Sequence, residues 1–428
     1  MYMTDEPPVL GIVCGGTPVP GLNGIIAAST RYAKRVGWKV LAFNDGYVHL
    51  ATGDPQIVLQ HTIELTKELV KKIASLGGSI IHTDRFDPTR NPQWVHNVNM
   101  MLEHFKVRYL LVIGGNDKIR SAHIMTQGVD PYHMQVLVIP KTIDNDIDLP
   151  VGQSSFGYHS ARKFATRLVK GLIQDAHAVP RWFVVEIISK CTGHLPLSVA
   201  GASGAHLAII PEDFGNRRIT MNDILDVFEG AIYKRLAMGK NYGVCIVSQG
   251  LLSQMAASSL QTLFPDGIPY RSDGQIDIDE IDFSRAIRLA MTERLKAKGI
   301  PIRLNNTKMG YELRGCKPVA FDEIYSQELG FAAIEGFRTR HSNALIVWEN
   351  GKISFRSFRA MMDSAGRINI RKVDINSEDY KISRSYMWQL NQDDINDSSK
   401  LEKLAEAAKL EPEEFQKKFK RIIGITPQ

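Results

Sequence analysis

The chain has 428 residues, 44% of them hydrophobic and 23% charged. A single core stops growing near about 250 residues, so this length predicts two domains with a cleft between them, and the composition excludes disorder. The formal charge of +6 comes from 52 basic and 46 acidic residues that are intermixed, which argues against a nucleic-acid partner while leaving room for a basic cleft that holds a small anion.

No apolar run approaches the ~20 residues that cross a bilayer, so no membrane association is expected. The opening "MYMTDEPPV" lacks a basic region followed by an apolar stretch and predicts a cytoplasmic protein. The four cysteines, Cys14, Cys191, Cys245 and Cys316, form no C-x-x-C pair and read as reduced, mostly buried thiols.

In chain order, short β-rich runs alternate with helical stretches, the pattern of an α/β protein with parallel sheets. "VLGIVCGG" at 9–16 reads as a strand, and "CGGTPVPGLNG" at 14–24 joins it to a helix with Ile25, Ala28, Tyr32 and Val36 on one side. Gly15 and Gly16 would let backbone N–H groups approach an anion at that helix N-terminus. The loop is neither G-x-G-x-x-G nor G-x-x-x-x-G-K-[ST], which argues against a dinucleotide-dependent dehydrogenase and a P-loop NTPase. "WKVLAF" at 38–43 is a second strand, and Leu65, Leu69, Ile73 and Leu76 mark one face of a helix.

"RYLLVIGG" at 108–115 runs into "GGNDKIR", where Asp117 reads locally as a helix cap. "QVLVIPK" at 135–141 runs into "PKTIDNDIDLP", which gathers Lys141, Asp144, Asp146 and Asp148 at a strand end. Read alone, that loop is a solvated turn in which Asp144 or Asp146 caps the next helix. A second set of strands follows: "RWFVVEII" at 181–188, "HLAIIPE" at 206–212 and "YGVCIVSQG" at 242–250. In "NALIVWENGKISF", Asn350-Gly351 between apolar runs predicts a two-residue hairpin. "SSKLEKLAEAAKL" and "EPEEFQKKFKRII" read as two capped amphipathic helices.

Open α/β sheets bind ligands in the crevice beyond the carboxyl ends of their strands, so three polar loops at such ends belong together. With "GYELRG" at 310–315 they make a pattern: over roughly residues 9–340 the chain resembles the phosphofructokinases, which phosphorylate the 1-hydroxyl of fructose 6-phosphate. The resemblance implies two Rossmann-like doubly wound domains with the active site in the cleft between them. The donor-binding domain would span 1–145, completed by 312–345. A smaller fructose 6-phosphate-binding domain would span 146–311, and 346–428 would form a hairpin and C-terminal helical extension.

The same resemblance implies roles for residues. Asp144 would take the proton from the sugar hydroxyl, with Thr142 and Asp146 beside it at the sugar and metal. Gly15, Gly16, Gly115 and Lys118 would face the donor phosphates, and Asn116 and Asp117 would hold Mg2+. Glu212 would hold sugar hydroxyls, Tyr311 and Arg314 would grip the 6-phosphate, and Arg85 would add a phosphate contact. Ile188, Ser189 and Lys190 occupy the family's M-G-R segment. Arg181 would reach the sugar phosphate of a neighbouring subunit, implying a homodimer or homotetramer.

The donor is expected to be pyrophosphate, with ATP as the alternative. ATP users commonly have glycine where Asp117 and Lys141 stand, and "GGTPVPGLN" resembles the pyrophosphate-type loop. Three residues depart from the family: Asn116 for an acidic ligand, Lys190 for arginine, and Lys118 for serine or threonine. They sustain a reading of another class, a catalytically weakened regulatory subunit that binds phosphosugar.

Overall fold

The computed structural model describes residues 6–127, 133–263, 267–270 and 276–423. Packing divides the chain into two compact units: residues up to Ala161 with Tyr311–Arg371, and Arg162–Gly310 with Lys372 onward. Among the described residues the strands of the first part of the chain are β1 (Val9–Cys14), β2 (Lys39–Phe43), β3 (Thr62–Glu64), β4 (Val107–Gly114) and β5 (Gln135–Pro140). They are followed by β6 (Trp182–Ile187), β7 (Leu207–Ile209), β8 (Gly243–Ser248), β9 (Leu304–Met309), β10 (Ala344–Glu349) and β11 (Lys352–Ser357).

The first unit holds a sheet in the order β11-β10-β5-β4-β1-β2-β3. Its five inner strands pair in parallel, and β3 and β11 are antiparallel edges. Strands covered on both faces read as continuous apolar runs, and every residue of β1 and β5 is buried accordingly. β2 lies on one side of β1 and β4 on the other, so the winding reverses between β1 and β4. The loops leaving those two strands therefore meet at a topological switch point.

The helix expected around Leu65–Leu76 is much shorter, Lys67–Lys71, with Thr66 Oγ1 accepting the Leu69 N–H at 3.2 Å. Leu65 instead donates its N–H to Val40 O at 3.0 Å at the sheet edge, and Leu76 is 44% exposed. The hairpin forms as expected. Asn350 (φ 51°) and Gly351 (φ 74°) take the left-handed pair that a two-residue turn requires.

The residues after 345 do not form a separate extension, because their apolar faces pack into both units. β10 joins the first sheet beside β5. Helices Ser398–Ala408 and Pro412–Ile423 bury Leu404, Phe415 and Phe419 in the core of the second unit with Phe228 and Tyr233. Lys418 Nζ reaches the fully buried Glu229 there at 2.6 Å. The sheet of this unit runs β7-β8-β6-β9, all parallel, with the winding reversed between β6 and β9.

Candidate active site

The first loop supplies space more than hydrogen-bond donors. Gly15 N–H donates to Ile113 O at 3.0 Å and Gly16 N–H to Asp84 O at 2.8 Å, so both amides are committed to backbone. Gly16 has a φ of +81°, which favours glycine. What Gly15 and Gly114 make room for is Lys118. A Cβ on Gly15 would lie 2.1 Å from Lys118 Cε, and one on Gly114 would lie 2.3 Å from Lys118 Cβ. The stem of this lysine thus crosses the switch point.

Lys118 is 2% exposed, donates to Phe86 O, and sets its ammonium 5.4 Å from the centre of the Tyr47 ring. Burial lowers its pKa, and the charges of Asp87, Asp117 and Asp84 work against that shift. Asp117 stands in the first turn of helix Asn116–Met125, which Gly115 precedes as N-cap without a side-chain bond. Arg85 is exposed on the segment whose Asp84 carbonyl receives Gly16.

The third loop folds back onto the other two. Lys141 N–H donates to Gly114 O at 2.9 Å, and its buried ammonium donates to Thr17 O, close to Gly16. Thr142 Oγ1 accepts the Asp144 N–H at 3.0 Å, and Thr142 O accepts from Ser155 Oγ. Asn145 sits between the two aspartates in a left-handed conformation (φ 59°), its Oδ1 accepting the Ser155 N–H at 3.1 Å. Asp144 and Asp146 are both buried, and Asn116 Nδ2 donates to Asp146 Oδ2 at 3.4 Å.

These residues suit a hard divalent cation. Asn116 Oδ1 is buried and has no partner, beside the buried carboxylate of Asp146 and one residue from Asp117. Uncommitted oxygens of this kind are what such cations bind. A second cluster, Asp45, His49 and His61, also brings possible ligand atoms together. There the two imidazoles stack 3.5 Å apart at 4°. Parallel rings at that spacing cannot both aim an in-plane lone pair at one ion, and His49 Nε2 is instead 3.2 Å from Asp45 Oδ2.

In the second unit, Ile188, Ser189 and Lys190 follow β6. Ile188 is buried, with its N–H donated to Met309 O at 3.0 Å, and Lys190 is exposed. Ser189 Oγ lies 2.7 Å from Ser248 Oγ and accepts the Gly250 N–H at 3.0 Å, a tie that glycine at this position could not make. Glu212 is 7% exposed. Its Oε1 accepts the Gly193 and Val373 N–H groups at 3.1 and 3.0 Å, and its Oε2 is buried without a partner. Burial raises the Glu212 pKa against the pull of those backbone donors.

Arg181 stands at the opposite, N-terminal end of β6. It donates to Val179 O at 3.1 Å, lies 3.6 Å from Asp175 and stacks near Phe183. The structure does not bring it together with Ser189 and Lys190 of the same chain. Tyr311 and Arg314 share the short helix Tyr311–Gly315, the guanidinium 5.5 Å from the centre of the exposed Tyr311 ring. Motif reading missed Arg371, which donates to the third loop, and the Val373 amide that holds Glu212. The alternation of Ile368 and Ile370 in "RINIRK" marks an extended segment and nothing more.

The phosphofructokinase family model matches residues 9–337. A pyrophosphate–fructose 6-phosphate 1-phosphotransferase of Naegleria fowleri is 35% identical over 424 residues, 97% of this chain and 96% of that protein. One from Thermotoga maritima is 36% identical over 416 residues, 96% and 97% of the two chains. Among solved structures, a pyrophosphate-dependent phosphofructokinase from Nitrosospira multiformis matches with a TM-score of 0.65 at 16% identity, over 88% of this chain and 90% of that one, a likeness of fold.

Proposed function

We infer the reaction from one premise: the chain belongs to the phosphofructokinase family. It transfers a phosphoryl group from pyrophosphate to the 1-hydroxyl of fructose 6-phosphate, giving fructose 1,6-bisphosphate and orthophosphate, in the glycolytic direction or its reverse. The observation that carries this reading is that the loop after β5, with Lys141, Asp144 and Asp146, folds onto the loops after β1 and β4, where Asn116 meets Asp146. Phosphoryl transfer asks for positioning, charge neutralisation and a base near the acceptor, and this set offers each.

In this reading Asp144 accepts the proton of the 1-hydroxyl as its oxygen attacks the nearer phosphorus of pyrophosphate. The bridging P–O bond breaks and orthophosphate leaves. Lys141 stabilises the charge that develops on the donor and leaving group, and Thr142 fixes the backbone of the base. Gly15, by making room for the Lys118 stem, shapes with Gly16 and Gly115 the loops that face the donor. Lys118 adds positive charge while its own ammonium stays on Phe86 O. Asn116, Asp117 and Asp146 would hold Mg2+, which when bound neutralises donor phosphate charge.

Glu212 Oε2 is available for sugar hydroxyls. Tyr311 and Arg314 are assigned to the sugar phosphate as the family pattern implies, and so, separately, are Ser189 and Lys190, whose backbone Ile188 sets. Arg85 serves as a further phosphate contact. A six-residue strand spans roughly 20 Å, so Arg181 at the start of β6 is too far to join Ser189 at its end. We therefore assign Arg181 to the site of a neighbouring copy in a homodimer or homotetramer. No helix among the described residues is long and apolar enough to cross a membrane, and we place the reaction in the cytoplasm.

The test is a coupled assay with fructose 6-phosphate and Mg2+ that compares pyrophosphate with ATP. Product from pyrophosphate supports the reading, product from ATP alone moves the protein to the ATP-dependent branch, and no product with either donor favours the regulatory subunit.

A further inference from the structure

We propose that Arg371 is a positioning residue for phosphoryl transfer, its guanidinium holding the loop that carries Asp144 and Asp146 in working shape. Arg371 Nε donates to Asn145 O at 3.0 Å, Nη1 to Gln153 O at 2.7 Å, and Nη2 to Asn145 Oδ1. Its backbone N–H donates to Asp146 O at 2.9 Å, and Ile370 bridges Ile147 in antiparallel fashion. One residue thus engages the loop at 145, 146 and 153, from a point 226 positions along the chain from Asn145.

The contact falls where the loop most needs it. Asn145 is left-handed, a conformation that non-glycine residues adopt at a cost unless surrounding contacts hold them there. Asp144 and Asp146 are its two neighbours, so a change of φ at Asn145 redirects both carboxylates. Arg371 fastens Asn145 by its carbonyl and its side chain at once, and Ser155 N–H holds the same side-chain oxygen at 3.1 Å. The requirement is specific to a guanidinium, whose planar fork presents several N–H groups in fixed directions. A lysine offers one rotating ammonium and cannot serve these acceptors together.

The charge of the group also fits its place. Burial lowers the Arg371 pKa, and Tyr158 and the carboxylates of Asp148 and Asp146 act in the opposite sense. The inference rests on the reading that Asp144 and Asp146 act on the transferred group, and the test separates the two.

The full-length protein is compared with Arg371→Ala and Arg371→Lys. By hydrogen exchange, the Asp144 and Ser155 amides of Arg371→Ala should lose protection while the strands of the first sheet keep theirs. In steady state with pyrophosphate, kcat should fall ~10²-fold, as small misplacements of reacting groups do, with KM for fructose 6-phosphate within ~3-fold of wild type. Methylguanidinium should restore Arg371→Ala by at least ~10-fold without stimulating the wild type, and Arg371→Lys should stay impaired while folding normally.

Unchanged loop exchange, or a kcat within ~2-fold of wild type in both variants, would overturn the proposal. Loss of activity that methylguanidinium does not relieve, with protection lost across the whole sheet, would overturn it in favour of a general stability role. A wild-type protein without phosphoryl transfer would remove the functional reading, while the exchange comparison would still decide what Arg371 does to the loop.

Discussion

Asn116 Nδ2 donates to Asp146 Oδ2 at 3.4 Å, tying the head of helix Asn116–Met125 to the loop after β5. Both side chains belong to the proposed cation site, and the neutral amide lets them sit together without a cation. Asn116→Asp would put two carboxylates in the place of one amide–carboxylate pair, and like charges that close repel. The variant should melt below wild type without metal, regain stability as Mg2+ is added, and reach half-maximal activity at several-fold lower Mg2+. Melting that does not respond to Mg2+ would remove this pair from the metal site.

Lys118 and Gly15 form a second dependent pair. Alanine at Gly15 would bring its Cβ within 2.1 Å of Lys118 Cε and 2.6 Å of Cδ, while the ammonium is pinned at Phe86 O. Overpacking of this kind costs about 1–3 kcal/mol, so Gly15→Ala should lower the unfolding free energy by that amount. The cost should largely vanish when Lys118 is already alanine, which a double-mutant cycle in urea measures. Equal costs in both backgrounds would show that the lysine stem is not what Gly15 accommodates.

These pairs show which parts of the site the sequence discloses. The buried parallel strands were legible because they are apolar runs that end at glycine or charge, and Asn350-Gly351 declared its own turn. The three-residue strand β3 was not legible, because an edge strand that short carries too little periodicity to separate it from a loop. Gly15 and Gly16 announced a loop needing room, but only the fold shows that Lys118 occupies it and that their amides are committed. Arg371 left no mark because its partners, two backbone carbonyls and the Asn145 side-chain oxygen, lie more than 200 positions away, and a carbonyl is the same in every sequence.

Glu186 gives a pH dependence of stability independent of catalysis. It is fully buried on β6. Its Oε2 accepts the Ser284 N–H at 3.0 Å, and its Oε1 accepts from Gln249 Nε2 at 3.3 Å and lies 3.7 Å from Lys308 Nζ. Burial raises its pKa from 4.5 to about 7, with Asp282 adding to the shift and Lys308 opposing it. A folded value above the unfolded one means a contribution fully present below the unfolded pKa and lost as pH rises through about 7. At 1.36 kcal/mol per pKa unit, up to about 3 kcal/mol is at stake. The urea midpoint of the wild type should therefore fall as pH rises through this window, and Glu186→Gln should flatten that slope. Parallel profiles would assign the dependence to other groups.

The Asp144 backbone N–H donates to Thr142 Oγ1 at 3.0 Å, a tie that replacing the side chain does not remove. Asp144→Ala should lose about 10²-fold or more in kcat, the lower range for removing a general base, with KM for fructose 6-phosphate little changed. Near-normal turnover would take the proton-transfer role away from this residue.

Donor choice is tested at Asp117, in the first turn of helix Asn116–Met125. A carboxylate there repels the additional phosphate of a nucleotide by up to about 4 kcal/mol at 4 Å and an effective dielectric of ~20, nearly three orders of magnitude in binding before screening. Asp117→Gly should raise kcat/KM for ATP and lower it for pyrophosphate. Glycine also loosens the helix start by about 1 kcal/mol relative to alanine, so Asp117→Ala is the control that removes charge alone. If both variants shift the donor ratio equally, charge is the discriminator; if only glycine does, backbone freedom is. A ratio unchanged in both would place selectivity away from Asp117, with Lys141 at Thr17 O as the next residue to replace.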